Sequence, residues 1–287
     1  MLDRIFKNLP TVTKNLLIIN ALFFILSAIL GDNSPIVSSL SLRFPTSEDF
    51  RPWQIVTHFF MHAGIGHIFF NMFALLMFGS QLERVWGPKR FLIFYFICAF
   101  GSALTHTAYT GYGLNNMSNE ISSFEMQPDQ EGYVGFIREH APMDRLRELA
   151  SAYGKNHWSA QELMRIEQIE VGLSQGQTSP DIVQAAVADM TEWYELQENT
   201  PVLGASGAIY GLLLAFGMLF PNVELMLLFF PMPIKAKYFI PGLIALELYL
   251  GFNNFSGDNM AHFAHLGGAL FGFIVVKFWQ KRRDTFY

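Results

Sequence analysis

The sequence predicts an all-α polytopic membrane protein: a bundle of six transmembrane helices carrying a mostly helical extramembrane insert. Three observations predict it. The 287 residues are 51% hydrophobic and only 15% charged, with a mean hydropathy of +0.26, a balance outside the range of ordinary soluble domains. The apolar residues are gathered into runs long enough to cross about 30 Å of hydrocarbon. The charge is also divided: residues 113–200 hold fifteen Asp/Glu against five Lys/Arg, within a chain of net charge −5. The remainder is therefore net basic, and the two parts face different solvents. Cys98 is the single cysteine, which excludes an intrachain disulfide.

Met1 to Lys14 is a short basic lead with Arg4, Lys7 and Lys14. Leu16–Leu30 is almost uninterrupted apolar sequence and reads as the first span. A cleaved signal peptide has a similar shape, but no clear small-x-small cleavage site follows. Asp32–Pro52 reads as a polar loop, and Trp53–Phe60 as an aromatic interfacial stretch. The second span is expected from about Ile65 to Leu82, stopping at Glu83-Arg84, where Glu83 reads as a structural cap or salt-bridge member. Gly87-Pro88-Lys89-Arg90 makes a tight basic turn. Phe91 to about Tyr109 is the third span and Val202–Phe220 the fourth, ended by Pro221-Asn222. Leu225–Pro233 is apolar but broken by two prolines, and reads as an interfacial or re-entrant approach. The fifth span follows over Tyr238–Tyr249 and the sixth over Met260–Phe278.

These spans divide the chain into 1–112, with the first three helices and outer loop, 113–200, the acidic insert, and 201–287, the last three helices. Arg4, Lys7, Lys14, Arg84, Lys89, Arg90, Lys235, Lys237 and Lys281-Arg282-Arg283 share one side of a six-span arrangement, and only Arg43 and Arg51 lie in the opposite short loops. The positive-inside rule then puts both termini in the cytoplasm and the insert outside. Within the insert, Pro142–Ala150 and Ser159–Ile169 have helical apolar spacing, and Ser179-Pro180-Asp181 is a helix start with Pro in the first turn. Its last residues adjoin the fourth span, so the insert is expected over or beside the outer mouth of the bundle.

Polar groups inside a bilayer carry a functional expectation. The second span carries His67 and Asn71, the fourth Ser206, the sixth His265. His67 lies seventeen residues before Arg84, Ser206 fourteen before Phe220 and His265 twelve before Lys277. At about 1.5 Å per residue these groups sit roughly 18–26 Å above the inner boundary, level in the outer part of the membrane. Ser206 alone is compatible with a bond to its own helix backbone, and Gly207 and Gly211 with simple helix packing. Gly268 and Gly272, three and seven residues after His265, put a matching small stripe on the imidazole's face. Two such stripes let backbones approach closely. Tyr210, one turn below Ser206, is placed to stack on that ring. A hydroxyl, an imidazole and a hydrogen-bonding group from a third helix make a nucleophile–base–oxyanion arrangement for acyl transfer.

Four motifs now stand in order: His67-Ile-Phe-Phe-Asn71, Glu83-Arg-Val-Trp-Gly87, Gly204-Ala-Ser-Gly207 with Tyr210, and Ala264-His-Leu-Gly-Gly268 with Gly272. Over roughly residues 10–112 and 201–287 the chain resembles the rhomboid intramembrane serine proteases, with an unusual long insert between the third and fourth spans. The resemblance implies Ser206 as nucleophile and His265 as general base, a dyad without a third acidic member. It also implies His67 and Asn71 as oxyanion donors with the Ser206 backbone N–H, and Tyr210 packed on the catalytic imidazole. Trp53-Gln54 stands where rhomboids often carry Trp-Arg, and the insert lies outside the common core.

Other polar residues are weighed against this site. His262, one turn before His265, lacks glycines at matching offsets and reads as a loop-proximal or water-lining residue. His58 and His62 have metal-compatible spacing, with His67 and His106 as further candidates. No carboxylate or cysteine cluster joins them, so no metal or cofactor is expected. Glu247, in the fifth span, is compatible with a hydrogen bond inside the bundle or with a lateral cavity. The expected activity is an endopeptidase cleaving transmembrane or membrane-proximal segments of other proteins near the outer face. Its expected partners are those substrates and the lipid bilayer, with no nucleic acid. A different class, a non-catalytic relative that binds membrane clients and aids trafficking, would be expected to lack the serine or the histidine. A transporter would show matched broken helices in two repeats, a symmetry this sequence lacks.

Overall fold

A computed structural model describes residues 8–31, 34–140, 160–227, 230–253 and 261–284. The first long helix, α1 (Thr11–Leu30), follows Pro10 and has no side-chain cap of its own. The cap comes from α2 (Ile65–Trp86). The Glu83 carboxylate accepts the backbone N–H groups of Val12 (2.9 Å) and Thr13 (2.7 Å) and the Thr13 hydroxyl (2.8 Å). A buried anion there satisfies the orphan donors of the first turn and sits at the positive end of the helix dipole. A π turn at Leu75–Gly79 interrupts α2. A Cβ on Gly79 would lie 2.9 Å from Leu75 and 3.2 Å from Phe91, so the small residue sets how closely the next helix packs.

That helix, α3 (Pro88–Met126), runs 39 residues without a break. At 1.5 Å per residue it is roughly 58 Å long, about twice the hydrocarbon thickness. The helix of the third span therefore continues well past Tyr109. The stretch after it lacks a breaker, since Gly111 and Gly113 weaken a helix without ending it. Its far half becomes one wall of the insert. There α3 packs with α4 (Gln130–His140), α5 (Ala160–Ser174) and α6 (Pro180–Glu198) around Leu114, Met117, Phe124, Tyr133, Phe136 and Trp193. The expected helix at Pro142–Ala150 lies outside the described residues.

The remaining elements return to the membrane part. Helix α7 (Ser206–Leu219) is shorter than the expected fourth span and begins at the serine itself. A two-stranded antiparallel hairpin follows, β1 (Glu224–Leu227) against β2 (Phe230–Lys235), with Glu224 opposite Lys235. It covers the stretch expected as an interfacial or re-entrant approach. Pro231 and Pro233 cannot continue a helix but are tolerated in a strand with a free edge. Helices α8 (Ala236–Asn253) and α9 (His262–Asp284) close the bundle. The buried core of the bundle contains Leu75, Leu82, Phe91, Phe94, Tyr95, Cys98 and Leu212.

Four described helices, α1, α2, α3 and α9, are long and apolar enough to cross a membrane, and α7 is a shorter apolar helix. Their outer faces leave large apolar side chains uncovered, Ile29 at 75% and Ile65 at 77% exposure. Such faces are unfavourable in water and suited to lipid. The chain is an all-α integral membrane protein.

Inside the insert, the Tyr133 hydroxyl donates to Asp189 Oδ2 at 2.7 Å, and Arg165 bonds the other carboxylate oxygen. Burial, with the Asp189 charge beside it, pushes the Tyr133 phenol well above its ordinary range, so it remains a donor throughout the physiological range. Asp189→Ala strands the Tyr133 hydroxyl and leaves Arg165 with only its longer contact to Glu192, 3.3 Å. It should destabilise the insert by on the order of 2–3 kcal/mol, less than a fully buried pair because Arg165 stays partly in water. Hydrogen exchange of α6 amides measures this; Tyr133→Phe should cost only about 1 kcal/mol. Unchanged exchange in Asp189→Ala would mean that apolar packing alone holds the insert.

Candidate active site

The approach to Ser206 is set by two backbone constraints. Val202 pairs with Leu42 of the outer loop, N–H to O at 2.8 and 2.9 Å in the two directions. Gly204 donates its N–H to His58 O at 2.8 Å and adopts φ +119°, a region that L side chains rarely enter. A Cβ there would also lie 2.8 Å from His67 Cε1. These constraints exclude helical geometry before Ala205, which is why the helix does not begin at Val202. Ser206 is consequently the first residue of α7, where backbone N–H groups have no intrahelical acceptor and the dipole is positive.

Close packing of α7 on α9 and α3 brings His265 to the serine. A Cβ on Gly268 would stand 1.8 Å from Gly207 O, and one on Gly207 would stand 1.9 Å from Ser102 Oγ. One turn further in, a Cβ on Gly211 would be 3.0 Å from Gly268 O, and one on Gly272 would be 3.0 Å from Gly211 Cα. With backbones this near, His265 Nε2 lies 2.9 Å from Ser206 Oγ. The Tyr210 ring stacks on the His265 ring, centroids 4.3 Å apart and planes within 8°. A small cavity lined by His58, Ser102, Gly204, Ser206, Gly207 and Ala264 adjoins the hydroxyl.

The other face of the imidazole meets an acid. Glu247, on α8, is buried, and its Oε2 lies 3.0 Å from His265 Nδ1 and 2.6 Å from His262 Nδ1. Its Oε1 accepts the Tyr210 hydroxyl. Of the two placements left open by sequence, the interior hydrogen bond is the one observed. The resemblance implied no acidic neighbour for the base, and one is present. His262, expected as loop-proximal or water-lining, is the first residue of α9 and is buried against Glu247. The sequence signal was Glu247 itself, a carboxylate in an apolar helix, but nothing in its spacing pointed to α9.

His67 borders Gly204 and receives the Ala63 N–H on Nδ1 at 3.4 Å. Asn71 is buried, and its side-chain NH2 meets no acceptor among the described residues. Gln54 is also fully buried, accepting the Arg43 N–H (3.1 Å) and donating to Asp49 O (2.9 Å). It knits the outer loop in the place where an arginine was the expected resident. The insert joins the same loop, since Glu198 bonds Thr46 and Asn199 bonds Ser47. His58 Nδ1 and His62 Nδ1 donate to the carbonyls of Gln54 (2.6 Å) and Phe60 (3.2 Å). These two are therefore engaged in shaping the loop.

Fold and site together define a polytopic helical membrane protein with a serine and a histidine in contact between neighbouring helices. The chain belongs to the rhomboid family: the family model described as the Rhomboid domain matches residues 49–116 and 182–281, leaving most of the insert unmatched. It is 27% identical over 240 residues to an uncharacterized mitochondrial rhomboid protein of Schizosaccharomyces pombe, covering 81% of this chain and 53% of that protein. It is 25% identical over 131 residues to the rhomboid protease GlpG of Yersinia pestis and of Yersinia pseudotuberculosis, covering 46% of this chain and 45% of those proteins. The chain thus spans about half the length of the curated relatives it matches.

The glycine contact can be tested directly. Gly268→Val places side-chain atoms on the Gly207 carbonyl, a backbone group that cannot turn aside. It should push α9 from α7, separate Ser206 from His265, and lower reaction with a fluorophosphonate probe at least about 100-fold. Leu270→Val, on the exposed side of the same helix, is the control. Equal labelling of the two variants would show that the close approach is dispensable.

Proposed function

We propose that this protein is an intramembrane serine endopeptidase acting through Ser206 and His265. The observation that carries the reading is the 2.9 Å contact between Ser206 Oγ and His265 Nε2 within the membrane bundle. The named proteases among its relatives support it. Nε2 takes the hydroxyl proton as Oγ adds to the scissile carbonyl carbon. The resulting oxyanion is met by His67, by the Asn71 side-chain NH2 and by the Ser206 backbone N–H at the start of α7. One such donor is worth about 3–4 kcal/mol in soluble serine proteases. Nε2 then returns the proton to the leaving amine as the C–N bond breaks. Water, activated by the same imidazole, hydrolyses the acyl-enzyme.

The substrates in this reading are transmembrane or membrane-proximal segments of other proteins, cut near the outer face. The Lys/Arg distribution supports six spans with both termini cytoplasmic and residues 113–200 outside. The insert's attachment to the outer loop beside Ser206 supports its position near the entry to the site.

Ser206→Ala and His265→Ala should each abolish cleavage of a transmembrane substrate in proteoliposomes while leaving thermal unfolding near wild type. His262→Ala should lose far less. A cleaving Ser206→Ala variant would refute the assignment, and the reverse ranking of the two histidines would move the base to His262.

Asn71→Ala should lower turnover by about 10- to 1000-fold with a small change in melting temperature. If the main effect is unfolding, Asn71 is a packing residue and the oxyanion role is lost.

A further inference from the structure

Glu247 is an ionisable residue in an apolar helix that the serine–histidine chemistry does not call on. Burying a carboxylate is unfavourable unless its oxygens are fully hydrogen-bonded, and here each oxygen is met by donors from a different helix. Tyr210 of α7 reaches Oε1, while His262 and His265 of α9 share Oε2. The same three acceptor and donor atoms of Glu247, His262 and His265 lie within 4.8 Å of one another, a grouping that raises the question of a metal. Two ligands held at about 2.0–2.1 Å by a tetrahedral zinc stand roughly 3.3 Å apart. The 2.6 Å separation of Glu247 Oε2 from His262 Nδ1 is a charge-assisted hydrogen bond instead.

The consequence for His265 follows from imidazole chemistry. A neutral imidazole carries one N–H, and an acceptor on one nitrogen fixes the proton there. With Glu247 Oε2 at 3.0 Å, the proton resides on Nδ1. Nε2 is then left with its lone pair directed at Ser206 Oγ, 2.9 Å away. When Nε2 takes the serine proton, the imidazolium forms against a carboxylate already in place. Tyr210 restrains the ring by stacking on it and restrains the acid by donating to it. The ring can then neither tilt nor flip without breaking both contacts.

Resting on the serine–histidine reading above, we propose that Glu247 is a positioning residue: it holds His265 in the Nδ1–H tautomer and stabilises the imidazolium, so that a triad across α7, α8 and α9 replaces a bare dyad.

Glu247→Gln isolates the charge. The amide oxygen can accept from both histidines while its NH2 donates to the Tyr210 oxygen, so packing and tautomer are kept and only the anion is lost. In proteoliposomes with a transmembrane substrate, kcat should fall about 10- to 100-fold with KM within about threefold. The melting temperature should stay near that of wild type. Glu247→Ala should fall further in kcat, and by more than its loss of folded protein. Wild-type kcat in Glu247→Gln, a change confined to KM, or a loss matching the unfolded fraction would each overturn the proposal. Ser206→Ala run alongside separates the two readings. If that variant still cleaves, the proposed function fails. If it is inactive and Glu247→Gln is fully active, only the role of Glu247 fails.

Discussion

The contact between Gly207 and Gly268 is the constraint on which the site depends. A side chain as small as a methyl on Gly268 would overlap the Gly207 carbonyl. The two backbones are therefore as close as two helices can be, and Ser206 and His265 stand one residue and three residues from that point. Side chains as short as serine and histidine bridge helices only at such a separation. In lipid, where tails are as apolar as leucine, packing of this kind also supplies much of the association between helices. The same residues thus serve assembly of the bundle and geometry of the site.

Polar groups within the bundle are arranged by a common requirement. With no water in a hydrocarbon core, each must find its partner in the protein. Glu83 finds the first turn of α1, and Gln54 finds the backbone of the outer loop. Glu247 finds a phenol and two imidazoles. In each case the partner lies on a different element, so satisfying the group also fixes how two elements sit together. Asn71, like Ser80 and Tyr95, departs from the pattern: its buried NH2 meets no acceptor among the described residues. An unsatisfied buried donor is costly, and in the function proposed above an oxyanion would satisfy it.

The insert follows a different logic from the membrane helices. It is carried on the unbroken continuation of α3, with its own apolar core, and its end is hydrogen-bonded to the outer loop. It is therefore held at both ends by structure. The Tyr133–Asp189–Arg165 cluster ties three of its helices together.

The sequence by itself determined the helical membrane class and the two glycine stripes, because apolar run length and small-residue spacing are local properties. Counting along the helices also led to an expected common depth for Ser206, His265 and His67, since a helix converts residue count directly into height. Tertiary structure decided what depth counting cannot resolve, namely which faces turn toward one another. Only the packing of α8 against α9 shows that Glu247 meets His265, because their neighbourhood depends on helix rotation and not on spacing along the chain. The start of α7 at Ser206 was likewise invisible: it comes from pairing of Val202 with Leu42, 160 residues away in sequence. The third helix ran on past its expected end because no local breaker stops it and the insert core, formed by residues far along the chain, gives its extension a face to bury.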